Sequence, residues 1–73
     1  MSIALDQIKQ NLGKRLTYLR TEKKLGVREL ALLAEIEHHQ LINIEKGRVD
    51  IRMSTLIKIA KGLGVEPKEL LDF

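Results

Sequence analysis

The stretch ELALLAEIEHHQLINIEKG, residues 29–47, constrains the fold of this chain more than any other. Val27, Leu30, Ala31 and Ala34 recur at steps of three and four, the spacing of one helix face, and imply a helix over about 27–34. Leu41 and Ile44 carry the same spacing into a helix over about 38–46. Only Glu35, Ile36 and Glu37 separate the two, and Gly47 stands where a helix-ending residue of positive φ is usual. Upstream, Leu5, Ile8, Leu12, Leu16 and Leu19 form an apolar stripe on a first helix of about 5–23, closed before Gly26. Downstream, Leu56, Ile57, Ile59, Ala60 and Leu63 mark a helix of about 54–63, ended by Gly64. Pro67 suits the first position of a last helical turn over about 67–72, with Glu69 in its first turn beside the positive end of the dipole. The expectation is a single all-α domain, residues 1–73, of five short helices.

Composition supports that reading. The 73 residues include no cysteine and one each of Pro, Tyr and Phe, so stability has to come from aliphatic packing rather than from disulfides or thiolate zinc sites. No apolar run approaches the roughly 20 residues that span a membrane, and the start of the chain lacks a signal-peptide stretch. A cytoplasmic location is expected. The net charge of +3 points weakly to an anionic partner. Its distribution says more: residues 1–24 carry six basic groups against Asp6 and Glu22, whereas residues 25–50 carry three basic and five acidic ones. If the middle of the chain binds nucleic acid, its helix supplies shape and hydrogen bonds, and the flanks supply charge. Helices two and three, joined so tightly, have the proportions of a helix-turn-helix.

The segments LGKRLTYLRTEKKL, RELALLAEI, LINIEKG and STLIKIAKGLGVEPKELL, in this order, resemble the Cro/phage-repressor (XRE-type) helix-turn-helix domains over roughly residues 12–71. The resemblance implies a lambda-repressor-like fold and a double-stranded DNA-binding transcriptional regulator acting as a homodimer, with residues 38–46 as recognition helix in the major groove. On matching positions, His38, His39 and Asn43 face base edges and Gln40 lies near bases or backbone. Lys46, Arg48 and the amides after Gly47 lie beside phosphates, as does Arg28 at the start of helix two. The family also pairs the arginine of its LR with the glutamate of its IE, here Arg20 and Glu45. The chain departs from the family pattern at several positions: Val27 replaces a common glutamine, Lys24 and Glu35 replace glycines, and Glu37 replaces a serine or threonine. A carboxylate at Glu37 is expected to cap helix three while repelling phosphates.

The twin histidines admit three readings. Glu35 and His39, four apart, share a face if the helix begins early enough. A metal site needs a further ligand, and Glu37 and His38 are expected to point elsewhere, so no metal and no cofactor is expected. Acid–base catalysis lacks a nucleophile, a phosphate-cradling loop and room for a deep pocket, so no enzyme activity is expected. Base or phosphate contact, against a merely solvated helix face, is the third: imidazole can donate to or accept from a purine edge, and Gln40 and Asn43 suit adenine. Arg20 reads either as an ion pair with Glu45 or as a phosphate contact. Lys9 and Lys14 read as solvated or as approaching phosphate. At the C-terminus, Leu70 can enter the core, while Leu71 and Phe73 either form a dimer interface or, for Phe73, pack back across helix one. A competing class is an antitoxin-like or other protein-interaction module with a partner protein and weak DNA binding.

Overall fold

The computed structural model describes residues 2–73, with side chains from Ala4 onward. Four α-helices follow one another: α1 (Ser2–Glu22), α2 (Val27–Ala34), α3 (His38–Glu45) and α4 (Met53–Leu63). A 3-10 turn over Pro67–Leu71 completes the described residues, among which there is no strand. The fold is all-α, with four α-helices where five helices were expected. The last element fails to become α-helical because it is short. Proline contributes no N–H. The segment closes by bonds of the i→i+3 type, such as Glu69 N–H to the Glu66 carbonyl at 2.9 Å. Its start is fixed by the Glu69 carboxylate, which accepts the Glu66 N–H at 3.0 Å. Glu29 does the same for α2, accepting the Gly26 N–H at 2.7 Å. Each is one half of a capping box, the carboxylate of the third helical residue reaching back to the N-cap amide without a side-chain bond in return.

All four α-helices stop in one way. A residue in the left-handed region follows or lies just beyond each, at Lys24, Glu35, Gly47 and Gly64, with φ between 58° and 73°. The next amide then reaches back across the last turn. Leu25 bonds to the Arg20 carbonyl, Ile36 to Ala31, Arg48 to Asn43 and Val65 to Ala60, at 3.0–3.1 Å. Two of the four positions are glycine, for which the conformation is unstrained. Lys24 and Glu35 carry a Cβ into it. Each such residue costs about 1–2 kcal/mol.

The core is aliphatic. Leu12, Leu16 and Leu19 of α1 meet Leu30, Ala31 and Ala34 of α2, Leu41 and Ile44 of α3, and Leu56, Ile59, Ala60 and Leu63 of α4, with Leu70 closing one end. Three apolar expectations fail. Leu5 and Ile8, in the first turns of α1, are each 47% exposed and stay outside the buried core. The helix has 21 residues. At the α-helical rise it is about 31 Å long. The molecule's longest dimension is 33 Å, so α1 runs its full length. Ile57 also faces outward, 40% exposed.

Where helices cross closely, side chains are absent. A Cβ at Gly13 would overlap the Glu45 carbonyl oxygen and lie 2.8 Å from that of Ile44. Alpha1 therefore rests directly on the backbone of α3, and that contact sets how far α3 stands out from the body. At Gly62, a Cβ would come within 3.1 Å of the Ala34 nitrogen and of the Leu30 side chain, so α4 also approaches α2 closely, though less tightly than α1 approaches α3.

Candidate nucleic-acid interface

Alpha3 turns Leu41 and Ile44 inward. The remaining positions form its outer surface: His38, Ile42 and Asn43 are half-buried, while His39, Gln40, Lys46 and Arg48 are exposed. Gln40, Asn43 and Lys46 are three apart and line up along one side, with His39 one turn before Asn43. The Asn43 amide oxygen accepts a hydrogen bond from the Arg48 guanidinium at 3.2 Å. This links a helix position to the loop behind Gly47. Arg28, at the start of α2, is exposed. It borders a shallow cleft of about 350 Å³ with Ala31, Leu32, Ile36, Glu37 and His38.

The outer face is held in place from behind. The Arg20 guanidinium donates to both Glu45 carboxylate oxygens, Nε at 2.8 Å and Nη2 at 3.0 Å, and Nη1 donates to the Leu25 carbonyl at 2.9 Å. Thr17 Oγ1 donates to Glu45 Oε1 at 3.0 Å. The Arg20 and Glu45 side chains are only 13% and 9% exposed, which removes Arg20 from any role on an external phosphate. Hydrogen bonding to Glu45 raises the Arg20 pKa above its ordinary value, against the opposing effect of burial and aided by the carboxylate's charge. The pair joins α1 to the end of α3. Thr17 went unmarked in the sequence because a threonine in a helix carries no distinctive signal. The spacing of Gly13, Thr17 and Arg20 along one side of α1 is the pattern that could have revealed it.

Several expectations about the histidines change. Glu35 is the left-handed residue that ends α2, so it shares no helix face with His39. Glu37 occupies the N-cap of α3 in an extended conformation, but its carboxylate makes no capping hydrogen bond. Because Glu37 lies outside the helix, the divergence of successive helical side chains does not apply to it. The donor atoms of Glu37, His38 and His39 lie within 4.8 Å of one another, not pointing apart as the helical spacing suggested. The two imidazoles sit 4.2 Å apart, tilted by 35°. Desolvation, then the charges of Arg28 and His39, depress the His38 pKa, and Glu37 offsets this only in part.

Elsewhere, Lys9 forms an ion pair with Asp50 at 3.2 Å rather than standing free. Lys14, Lys58 and Lys61 are exposed. Arg15 was not singled out in the sequence, yet its Nε donates to the Glu69 carbonyl at 2.8 Å and its guanidinium lies 3.8 Å from Asp72. It thereby ties the C-terminal turn to α1. Beyond that tie, Leu71 and Phe73 are 50% and 54% exposed, so this chain leaves about half of each side chain uncovered.

Two short helices joined by a three-residue turn, the second presenting a polar face braced against a long first helix, define a helix-turn-helix protein. A family model described as a helix-turn-helix domain matches residues 13–72, and the chain belongs to that family, in its Cro/phage-repressor branch. It is similar to control protein C.BamHI of Bacillus amyloliquefaciens, 30% identical over 69 residues that span 93% of this chain and 85% of the relative. Its structure is similar to that of the restriction-modification controller protein C.AhdI from Aeromonas hydrophila, with a TM-score of 0.84 and 32% identity, covering 85% of this chain and 94% of the other. The clp gene regulator ClgR from C. glutamicum is similar at 26% identity and a TM-score of 0.82, over 88% of this chain and 83% of that one.

Proposed function

We propose that the chain is a sequence-specific double-stranded DNA-binding transcriptional regulator that acts as a homodimer and inserts α3 into the major groove. The observation that carries this is the outer face of α3. It presents His38, His39, Gln40 and Asn43, side chains that can pair with base edges, between the exposed cations Arg28, Lys46 and Arg48. Base edges are read by the first group, and phosphates are held by the second. Glu45 contributes by docking the helix, not by touching DNA. Likeness to C.BamHI and C.AhdI, each covered over most of its length, supports a controller-type regulator.

One helix reads only part of a groove, too little for the roughly 4–10 kcal/mol of discrimination that specific regulators show. A two-fold pair would place two such helices about 34 Å apart, one turn of DNA. Leu71 and Phe73, exposed at the C-terminus, suit the contact between copies. Each large apolar side chain adds roughly 1.5–3 kcal/mol when covered. Among the described residues, no helix is long and apolar enough to cross a membrane.

A second reading, an antitoxin-like interaction module that binds a partner protein, is favoured by Val27, Glu35 and Glu37. Valine cannot reach a phosphate, and two exposed carboxylates flank the proposed DNA face. Selection from random duplexes by the purified chain separates the two. Enrichment of paired half-sites about one helical turn apart supports the regulator, and a pool without enrichment supports the interaction module.

A further inference from the structure

Three consecutive donors on a regular helix point about 100° apart and do not converge on one ligand. The start of α3 escapes that geometry. Glu37 is extended and makes no capping bond, so its carboxylate swings toward the imidazoles of the first helical turn. The result is two nitrogens and a carboxylate oxygen within 4.8 Å of one another, beside the cleft that Arg28 and Ile36 border.

We propose that Glu37, His38 and His39 bind a single divalent transition-metal ion of the zinc or nickel class, and that this binding opposes DNA binding. The donor set selects the metal. Imidazole nitrogen with one carboxylate suits zinc, nickel and copper, whereas calcium and magnesium call for oxygen throughout. Donors on one zinc at about 2.0–2.1 Å sit roughly 3.4 Å apart in a tetrahedron, so modest side-chain rotations complete the set. Three protein ligands leave the remaining position to water. The Arg28 guanidinium near His38 repels a cation, and the positive end of α3 does the same. Both make the site exchangeable, one that fills and empties with metal supply rather than one that holds the fold together.

The coupling to DNA rests on the groove-reading role proposed above. An imidazole nitrogen that ligates a metal has no lone pair left for a base edge, and the ligated rings are turned toward Glu37. By linkage, metal lowers affinity for the recognised duplex by the same factor by which that duplex lowers affinity for the metal.

Calorimetric titration of the untagged chain with zinc chloride and nickel chloride, without DNA, tests the site. One ion per chain is expected. His38→Ala and His39→Ala are each expected to weaken binding by about tenfold or more, on the scale that even supporting partners of metal ligands show. Far-UV circular dichroism should show the helices intact in both variants, since neither histidine belongs to the core. Unchanged zinc affinity in the His38→Ala/His39→Ala double variant overturns the site. One ion per two chains with metal-dependent dimerisation overturns it also, because the ligands then come from two copies. Duplex affinity measured with zinc and again after chelation tests the coupling: weaker binding with zinc supports it, and equal binding overturns it. A chain that binds zinc through these residues but no duplex contradicts the DNA-binding proposal while upholding the site.

Discussion

Removing one member of the Arg20–Glu45 pair should cost far more than a surface ion pair would. The carboxylate accepts two guanidinium N–H groups and the Thr17 hydroxyl, at 2.8–3.0 Å, with both charged side chains at most 13% exposed. Arg20→Ala leaves Glu45 with only Thr17 as a donor and frees the Leu25 carbonyl of its guanidinium bond. An uncompensated buried charge costs about 3–5 kcal/mol, and the residual exposure places this case near the lower end, about 3 kcal/mol. A domain of this length has about 4–11 kcal/mol of stability in total, so a large share is lost. The melting temperature should fall by roughly 12–24 °C. Replacing both partners together, Arg20→Met with Glu45→Leu, removes the unpaired charge and should cost much less than either single change. Urea unfolding of the wild type, the two single variants and the double variant gives the coupling energy. A loss below about 1 kcal/mol for Arg20→Ala would mean that the pair is effectively solvated and does not anchor α3.

Three further outcomes follow from the same geometry. Gly13→Ala, whose new Cβ meets the α3 backbone, should destabilise by about 1–3 kcal/mol. A gain of about 1 kcal/mol in urea unfolding, as helix propensity alone dictates, would show that α1 and α3 can separate without cost. Glu35→Gly should stabilise by up to about 1 kcal/mol, since relief of the left-handed strain exceeds the added entropy of the unfolded chain, and a destabilised variant would show the strain to be absent. With chelator present and ionic strength fixed, affinity for random duplex should rise as pH falls, because a protonated His38 in the groove adds a positive charge near the phosphates that border the base edges it faces. The pKa of free His38 is depressed. The gain therefore saturates only below the ordinary imidazole value of about 6.5, and a flat affinity from about pH 8 to 5.5 would place His38 outside the groove.

Periodicity located α2, α3 and α4 closely because each has an inward face with a core to meet. The same periodicity overreached at Leu5 and Ile8, where the spacing is helical but the side chains stay about half exposed outside the core. Gly47 and Gly64 announce their helix ends through the one residue type that enters the left-handed region freely. Lys24 and Glu35 occupy that region as well; their side chains do not signal it, and only the glycines that the family resemblance places there do. The Arg20–Glu45 pairing was legible through the family resemblance, whereas Thr17 and Gly13 depend on how two helices cross, a tertiary fact absent from local sequence. The convergence of Glu37 with the histidines was hidden for a related reason. It hinges on where the extended Glu37 sends its carboxylate, which the helical spacing of the two histidines does not determine.

The central claim, that α3 reads bases while its flanks hold phosphates, is tested most directly by equilibrium binding across a salt series. Wild type, Asn43→Ala and Lys46→Ala would each be titrated onto the selected duplex and onto random duplex. For wild type, log affinity should fall linearly with log salt, at about −0.9 per phosphate contact. Lys46→Ala should weaken both duplexes alike and reduce that slope by about one contact. Asn43→Ala should leave the slope unchanged and lose about 1–3 kcal/mol on the selected duplex alone. Equal losses on the two duplexes for Asn43→Ala, or a wild-type chain with no salt-dependent affinity for either, would contradict the assignment of α3 as the recognition helix.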